Sequence, residues 1–227
     1  MSPKQLLERA DRAWNDGLDE LARRYYKESV IHFRGEMISD PESLAHGLSM
    51  LAQLSRIDGD YTEAQVFYSE SVEVLERGLG EDHPSTIFHI SLHANCLLES
   101  NRLEDAEKVA RLGLLRAERA LGPYHRYLGD SLMNLADILW QKKNAEEAEL
   151  YLRAAIAHDK TLAGSNSAFY AAGLLTLAGW LEVGLRVKEA FATIVEVQKI
   201  SASTDVLSEE GKDELRKRYG SIKEKFR

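Results

Sequence analysis

The sequence predicts an all-α fold built from stacked helical hairpins, and two rows of alanines support this prediction. Both rows recur at an interval of 42 residues. The first row consists of Ala10, Ala52, Ala94, Ala136 and Ala178, and the second of Ala22, Ala64, Ala106, Ala148 and Ala190. Self-similarity at a period of about 20–50 residues is typical of repeat proteins, in which each unit packs only against its neighbours. We therefore predict an α-solenoid of about five hairpins, with alanines where two helices cross closely.

Composition agrees with a helical protein that can bury a core, since 44% of the 227 residues are hydrophobic and only four are prolines. The net charge of −8 argues against a general nucleic-acid binder, which needs clustered Lys and Arg. A single cysteine, Cys96, gives no support to a disulfide-forming compartment. The chain contains no apolar run of about 18 residues and no signal-peptide pattern at its start, so we expect no membrane span and a cytoplasmic location.

The unit from residue 45 to 86 shows the predicted hairpin. Apolar residues follow the three-and-four spacing of an amphipathic helix in residues 44–55 and again in residues 61–75. Asp58-Gly59-Asp60 separates the two helices, and Gly78-Leu79-Gly80 ends the second. Pro84 then suits the first turn of the next helix, where its missing N–H costs nothing, and Pro41 after the candidate N-cap Asp40 gives the same signal one unit earlier.

The same pattern predicts five hairpins within residues 1–202, starting near residues 3, 45, 87, 129 and 171. Their inner turns fall at Gly17, Gly59, Asn101 and Lys143. Glycine and asparagine tolerate the left-handed conformation that ends many helices. The first and last hairpins match the pattern least well, as is typical of terminal repeats.

Residues 203–227 predict one more helix of a different kind. Leu215, Tyr219, Ile222 and Phe226 form an apolar stripe on a helix rich in Lys and Arg, and Ser208 suits its start. Because a solenoid needs a terminal cap with a polar outer face, we expect this helix to cover the fifth hairpin. The alternative is that the stripe mediates self-association.

Three short motifs recur around the helices of these units: residues 132–139 read LMNLADIL, residues 145–151 read AEEAELY and residues 79–84 read LGEDHP. They are similar to the patterns LNNLA…Y.EAE.LY and LGxDHP, so the repeat resembles the tetratricopeptide repeat (TPR) in the 42-residue form of kinesin light chains. The period covers about residues 3–200, although the segment from Met37 to Pro41 lacks the connector motif and Asn166-Ser167 departs from His-Pro. The resemblance implies a right-handed superhelix whose first helices line a concave groove.

The resemblance further implies that residues in this groove bind a partner. The candidates at matching positions are Ser49, Gln53 and Arg56 in the second unit, Ser91, Asn95 and Glu99 in the third, Met133, Asn134, Asp137 and Trp140 in the fourth, and Leu175, Gly179 and Glu182 in the fifth. Independently of the family, Met133, Asp137 and Trp140 share one stripe of their helix, opposite the apolar stripe. Tryptophan is enriched among interface anchors. The alternatives are that Trp140 and its equivalent Trp14 cover a neighbouring helix, and that the polar candidates form a solvated face.

The sequence offers little chemistry beyond binding. His89 and His93 have a spacing that can hold a metal, but His93 occupies a row otherwise held by leucines, so we expect a packed histidine. Cys96 shares a row with Leu54, Ile138 and Trp180 and is expected to be buried and unreactive. We find no catalytic or phosphate-binding motif and predict no enzyme activity, no metal and no cofactor.

These observations predict a non-enzymatic scaffold or adaptor that binds a peptide or helix of a protein partner, with Arg56, Asn95, Asn134, Asp137 and Trp140 making most of the contact. Neither nucleic acid nor membrane is an expected partner. An alternative hypothesis is a regulatory sensor whose groove takes a small ligand or the C-terminal helix of the same chain. A self-associating assembly module is a further alternative.

Overall fold

The computed structural model describes residues 1–35, 40–164 and 167–226. Within these ranges the chain forms eleven α-helices and no β-strand, which confirms the all-α prediction. The helices are α1 (Pro3–Asn15), α2 (Asp19–Gly35), α3 (Pro41–Ile57), α4 (Tyr61–Leu79), α5 (Pro84–Glu99), α6 (Leu103–Ala120), α7 (Arg126–Gln141), α8 (Ala145–Ala163), α9 (Ala168–Val183), α10 (Val187–Ser203) and α11 (Glu209–Phe226). Met37 and Asn166, where the sequence departs from the connector motif, lie outside the described residues.

The helices form two compact units, residues 1–121 and residues 122–227. In the first unit α1–α2, α3–α4 and α5–α6 are hairpins, and the second helix of one hairpin packs against the first helix of the next. The second unit repeats this arrangement with α7–α8 and α9–α10, and α11 packs against both α10 and α9. The boundary between residues 121 and 122 reflects how the helices pack. The predicted boundary after residue 202 instead separates the five hairpins from the last helix, and it stays a prediction.

The alanine rows lie in the cores of these units. All ten alanines at the 42-residue interval are 0% exposed. A methyl group at these positions lets neighbouring helices approach closely, because a larger side chain would push the backbones apart. Their burial confirms that the two rows lie in the core, and their role in close helix packing stays a prediction.

Capping residues fix where the first helices begin. The Asp40 side chain accepts a hydrogen bond from the Ser43 backbone N–H, at 3.0 Å. His83 and His125 accept a backbone N–H through Nδ1 in two later connectors. Both histidines therefore have a structural role, since they satisfy one of the N–H groups that a helix start leaves unpaired.

The inner turns share one backbone conformation. Positive φ angles occur at Gly17 (71°), Gly59 (80°), Asn101 (60°), Lys143 (65°) and Leu185 (58°). These positions follow one another at 42 residues. The hairpin turn therefore requires the left-handed region in every unit, including two units in which the residue is neither glycine nor asparagine.

Helix α11 covers the end of the second unit. Its Leu215 and Ile222 are buried in the core cluster of α9 and α10, and Phe226 stacks on Phe191 with ring centroids 4.4 Å apart. The Ser208 Oγ accepts a hydrogen bond from the Gly211 N–H, as expected for the start of this helix. Helix α11 begins at Glu209, about 42 residues after α9 begins at Ala168, so it takes the position of the first helix of a further hairpin.

None of the described helices combines the length and the apolar character that crossing a bilayer requires.

Candidate binding surface

The candidate residues lie along one side of the first helices, α3 and α5 in the first unit and α7 and α9 in the second, and most of them are half-buried. We call this side the first-helix face of each unit. In the first unit this face carries Ser49, Gln53, Ser91 and Asn95. The serine side chains are 8% exposed and bond back to their own helices, with Ser49 Oγ 2.8 Å from the His46 carbonyl oxygen. Gln53 and Asn95 are half-buried. Polar contacts with a partner are therefore most accessible at the two amides.

Arg56 and Glu99 complete the candidates of the first unit and pair with each other. Arg56 Nε on α3 donates to Glu99 Oε2 on α5 at 2.8 Å, and the pair is bidentate. Two parallel hydrogen bonds to a carboxylate hold a guanidinium in one orientation. The charges of both residues are consequently compensated within the unit.

The second unit places its candidates on α7 and α9. Met133, Asn134, Asp137 and Trp140 on α7 are half-buried. On α9, Leu175 is 8% exposed. The first-helix face of this unit is therefore most accessible along α7.

Helix α11 covers the other candidates of α9. A Cβ at Gly179 would overlap the guanidinium of Arg218. Glu182 accepts hydrogen bonds from Ser221 Oγ and Lys225 Nζ, each at 2.6 Å. The side chains that α11 presents to α9 thus occupy positions that the sequence assigned to a groove.

Asp137 differs from the other acidic candidates because no described residue forms a hydrogen bond or an ion pair with it. Burial raises the pKa of its carboxyl group from 3.8 to about 6, and no neighbouring charge contributes to the shift. A carboxylate that is partly shielded from water and has no partner carries a desolvation cost. Such uncompensated groups are concentrated at functional sites.

Trp140 stacks on Trp180, which the sequence analysis assigned to a row of core residues rather than to the groove. The two rings are 4.4 Å apart and inclined by 2°. A cavity of about 450 Å³ opens beside them at the edge of the second unit, lined also by Ala145, Val183 and Arg186. The tryptophan pair therefore both separates two helices and forms the wall of a cavity.

The histidines and the cysteine singled out by sequence are packed side chains. His89 is 8% exposed with Nδ1 3.0 Å from Ser71 Oγ, and burial lowers its pKa to about 4. Burial also lowers the pKa of His93 and raises that of Cys96 to about 11, so the thiol is protonated near neutral pH. Among the described residues, no three His, Cys, Asp or Glu side chains are grouped so as to hold a metal ion.

Comparison with known proteins identifies the repeat. Residues 43–114 and 91–161 match a model of the tetratricopeptide repeat family. Together the two matches span residues 43–161, more than half of the 227-residue chain. No relative was found among curated proteins.

Several solved structures share the fold. BtubC (BKLC) from P. vanneervenii has a TM-score of 0.77 at 18% identity, with 90% of this chain and 82% of that chain covered. A putative kinesin light chain from Podosopora anserina, with nearly identical TPR-like repeats, has a TM-score of 0.72 at 19% identity over 88% of this chain and 95% of that chain. At such identities the similarity shows the fold alone.

A third neighbour was solved with a bound peptide. The Rap conjugation gene regulator of the plasmid pLS20, in complex with the Phr* peptide, has a TM-score of 0.73 at 16% identity. The similarity covers 96% of this chain but only 58% of the regulator.

Proposed function

Because the chain belongs to the tetratricopeptide repeat family, we propose that it is a non-enzymatic scaffold or adaptor that binds a peptide or helix of a protein partner on its first-helix faces. In this proposal the strongest contacts are made in the second unit, along α7. In the first unit Gln53 and Asn95 supply polar contacts, while Arg56 and Glu99 join α3 to α5.

The unpaired carboxylate of Asp137 is the observation that carries the proposal. Every other charged candidate on the first-helix faces has a partner of opposite charge: Arg56 with Glu99, and Glu182 with Lys225. An acidic side chain that is half-buried without such a partner loses part of its hydration, which costs stability, and a cation from a bound segment would recover that cost. The bound segment therefore contains a Lys or Arg that pairs with Asp137.

Two further features support a basic peptide as the ligand. Met133 and Trp140 lie on the same stripe of α7 as Asp137 and offer apolar contact on either side of the charge. The net charge of −8 favours the approach of a basic partner. The peptide-bound structure of the similarly folded pLS20 regulator supports a peptide as the ligand class.

A random peptide library displayed on phage tests this function without knowledge of the natural partner. We expect the wild-type chain to select peptides enriched in Lys and Arg, and Asp137→Asn to lose this enrichment, because the amide keeps the size of the side chain but not its charge. Glu118→Gln is the matched control, since Glu118 is an exposed acid on α6. Circular dichroism checks that all three proteins are equally helical.

The outcome decides the proposal. Selection of the same basic peptides by wild type and Asp137→Asn would contradict the role of Asp137. Failure of the wild-type chain to select any peptide above an unrelated helical protein would contradict peptide binding as such.

A further inference from the structure

Two crevices of the chain are equivalent in the repeat, one between hairpins α3–α4 and α5–α6 and the other between α7–α8 and α9–α10. In the first crevice the ion pair of Arg56 with Glu99 joins the two hairpins. Arg102 also donates a hydrogen bond to Gln65, with Nη1 2.5 Å from Oε1. Polar side chains thus bridge this crevice, and Gln65 and Arg102 also line a cavity of about 410 Å³ on its α4 side.

The second crevice keeps one of these links and loses the other. Arg186 and Glu149 stand 84 residues after Arg102 and Gln65, and they form an ion pair of 2.6 Å. The positions of Arg56 and Glu99, however, hold Trp140 and Val183, which cannot pair. An aromatic and an aliphatic side chain therefore replace the ion pair.

The spacing of the first helices changes together with these residues. Cα atoms of α3 and α5 approach within 8 Å at several positions, whereas no described Cα pair of α7 and α9 does so. The stacked rings of Trp140 and Trp180 fill part of the wider gap. The remaining cavity of about 450 Å³ is lined at its rim by Val183, which is 71% exposed.

We propose that this cavity anchors one large apolar side chain of a bound peptide, next to the Lys or Arg that pairs with Asp137. This inference rests on the proposed function and adds the residue class that gives the peptide its specificity. Asp137 precedes Trp140 by three residues on α7, a rise of roughly 4.5 Å along the helix. Adjacent side chains of one peptide span such a distance.

The charges around the cavity agree with a basic, apolar segment. Arg186 is compensated by Glu149 and Glu189, so it does not attract an acidic ligand. Lys143 and Glu146 at the rim add one charge of each sign. The unpaired carboxylate of Asp137 is not part of the cavity lining but lies three residues before Trp140 on the same helix.

Filling the cavity tests the inference while leaving Asp137 intact. Ala145 lines the cavity and is exposed, and the equivalent residue in the first crevice is Tyr61. We expect Ala145→Tyr to weaken binding of peptides selected by the wild-type chain about ten- to hundredfold, the effect of losing one buried apolar side chain. Leu150→Tyr adds the same ring at an exposed site on α8 outside the cavity and should leave binding unchanged.

Repeating the library selection on Ala145→Tyr separates the two proposals. We expect the Lys and Arg enrichment to persist and the preference for a neighbouring large apolar residue to disappear. If Ala145→Tyr retains that preference and the wild-type affinity, the anchoring site is wrong even though the Asp137 result stands. Should Ala145→Tyr not fold, Val183→Thr removes apolar surface at the rim with almost no change in shape and should weaken binding in the same direction.

Tryptophan fluorescence gives a direct readout. The chain has three tryptophans, so in a Trp14→Phe background only Trp140 and Trp180 report. A selected peptide should shift their emission, and the same peptide with its apolar residue replaced by Ser should not. An identical shift with both peptides would overturn the anchoring site.

Discussion

At the scale of single residues, the sequence predicts where Asp137 lies on its helix but not how far its side chain is buried. Its place on the polar stripe of α7 follows from helical spacing alone. Its burial does not, because the spacing indicates which side a residue faces and not which neighbouring side chains cover it. The same holds for Arg56, whose location on the first-helix face was predicted but whose ion pair with Glu99 was not.

The Asp137→Asn variant is expected to be more stable than the wild-type chain at pH 7. Burial raises the pKa of Asp137 from 3.8 to about 6, so the folded state holds a proton that the unfolded state releases between these values. The stability linked to this group is fully present below about pH 4 and is lost as the pH rises through 6. We expect a gain of about 1–3 kcal/mol at pH 7 and almost none at pH 4, measured by urea unfolding.

Asp105→Asn provides a control of opposite sign. The hydrogen bond from Arg102 lowers the pKa of the Asp105 carboxyl group, so its contribution to stability is present at neutral pH and is lost on acidification. Removing that charge should not stabilise the protein at pH 7. A lower stability of Asp137→Asn than of wild type at pH 7 would show that the carboxylate is favourably paired after all.

At the scale of the helical hairpin, the inner turn imposes one backbone conformation on residues of very different type. Gly17, Gly59 and Asn101 suit the left-handed region, and their recurrence allowed the turns to be placed from sequence. Lys143 and Leu185 adopt the same conformation although their side chains disfavour it. The packing of the hairpins therefore overrides local preference at these two turns.

Leu185→Gly is expected to stabilise the second unit by on the order of 1 kcal/mol. Leu185 has a φ angle of 58° and is 81% exposed, so glycine relieves backbone strain while little packing is lost. Chemical denaturation of the variant measures the gain. Gly59→Ala, the reverse change at an equivalent turn, should be destabilising, and a loss of stability in both variants would show that strain does not control these turns.

The cavity beside Trp140 could not be predicted from the 42-residue repeat. Trp180 falls in a row with Leu54, Cys96 and Ile138, and this row correctly predicted that Cys96 is buried. A tryptophan in that row is too large for the space a cysteine occupies, so the spacing of α7 and α9 must adapt. Periodicity identifies equivalent positions, whereas the consequences of a change in side-chain volume depend on the packing around it.

At the scale of the whole molecule, the period explains both the fold and the ion pairs that the sequence analysis missed. Residues 42 positions apart have equivalent surroundings in a repeat, so the burial of the two alanine rows could be predicted from their spacing alone. Arg56–Glu99 and Glu182–Lys225 each join residues 43 apart on successive first helices. Opposite charges 43 residues apart, one period plus one residue, could therefore have indicated from the sequence that these candidates form ion pairs with each other.

Deletion of residues 205–227 tests whether α11 caps its own unit or joins two molecules. Leu215 and Ile222 are buried against the core of α9 and α10, so their removal exposes that core and should lower the melting temperature by on the order of 5–10 °C. We expect the same decrease at every protein concentration and an unchanged oligomeric state by light scattering, because the apolar stripe is directed at its own chain. Lys217→Ala, on the exposed side of α11, is the control and should alter neither measurement. If α11 instead mediated self-association, the full chain would melt at a temperature that rises with concentration, and the deletion would halve its mass in solution.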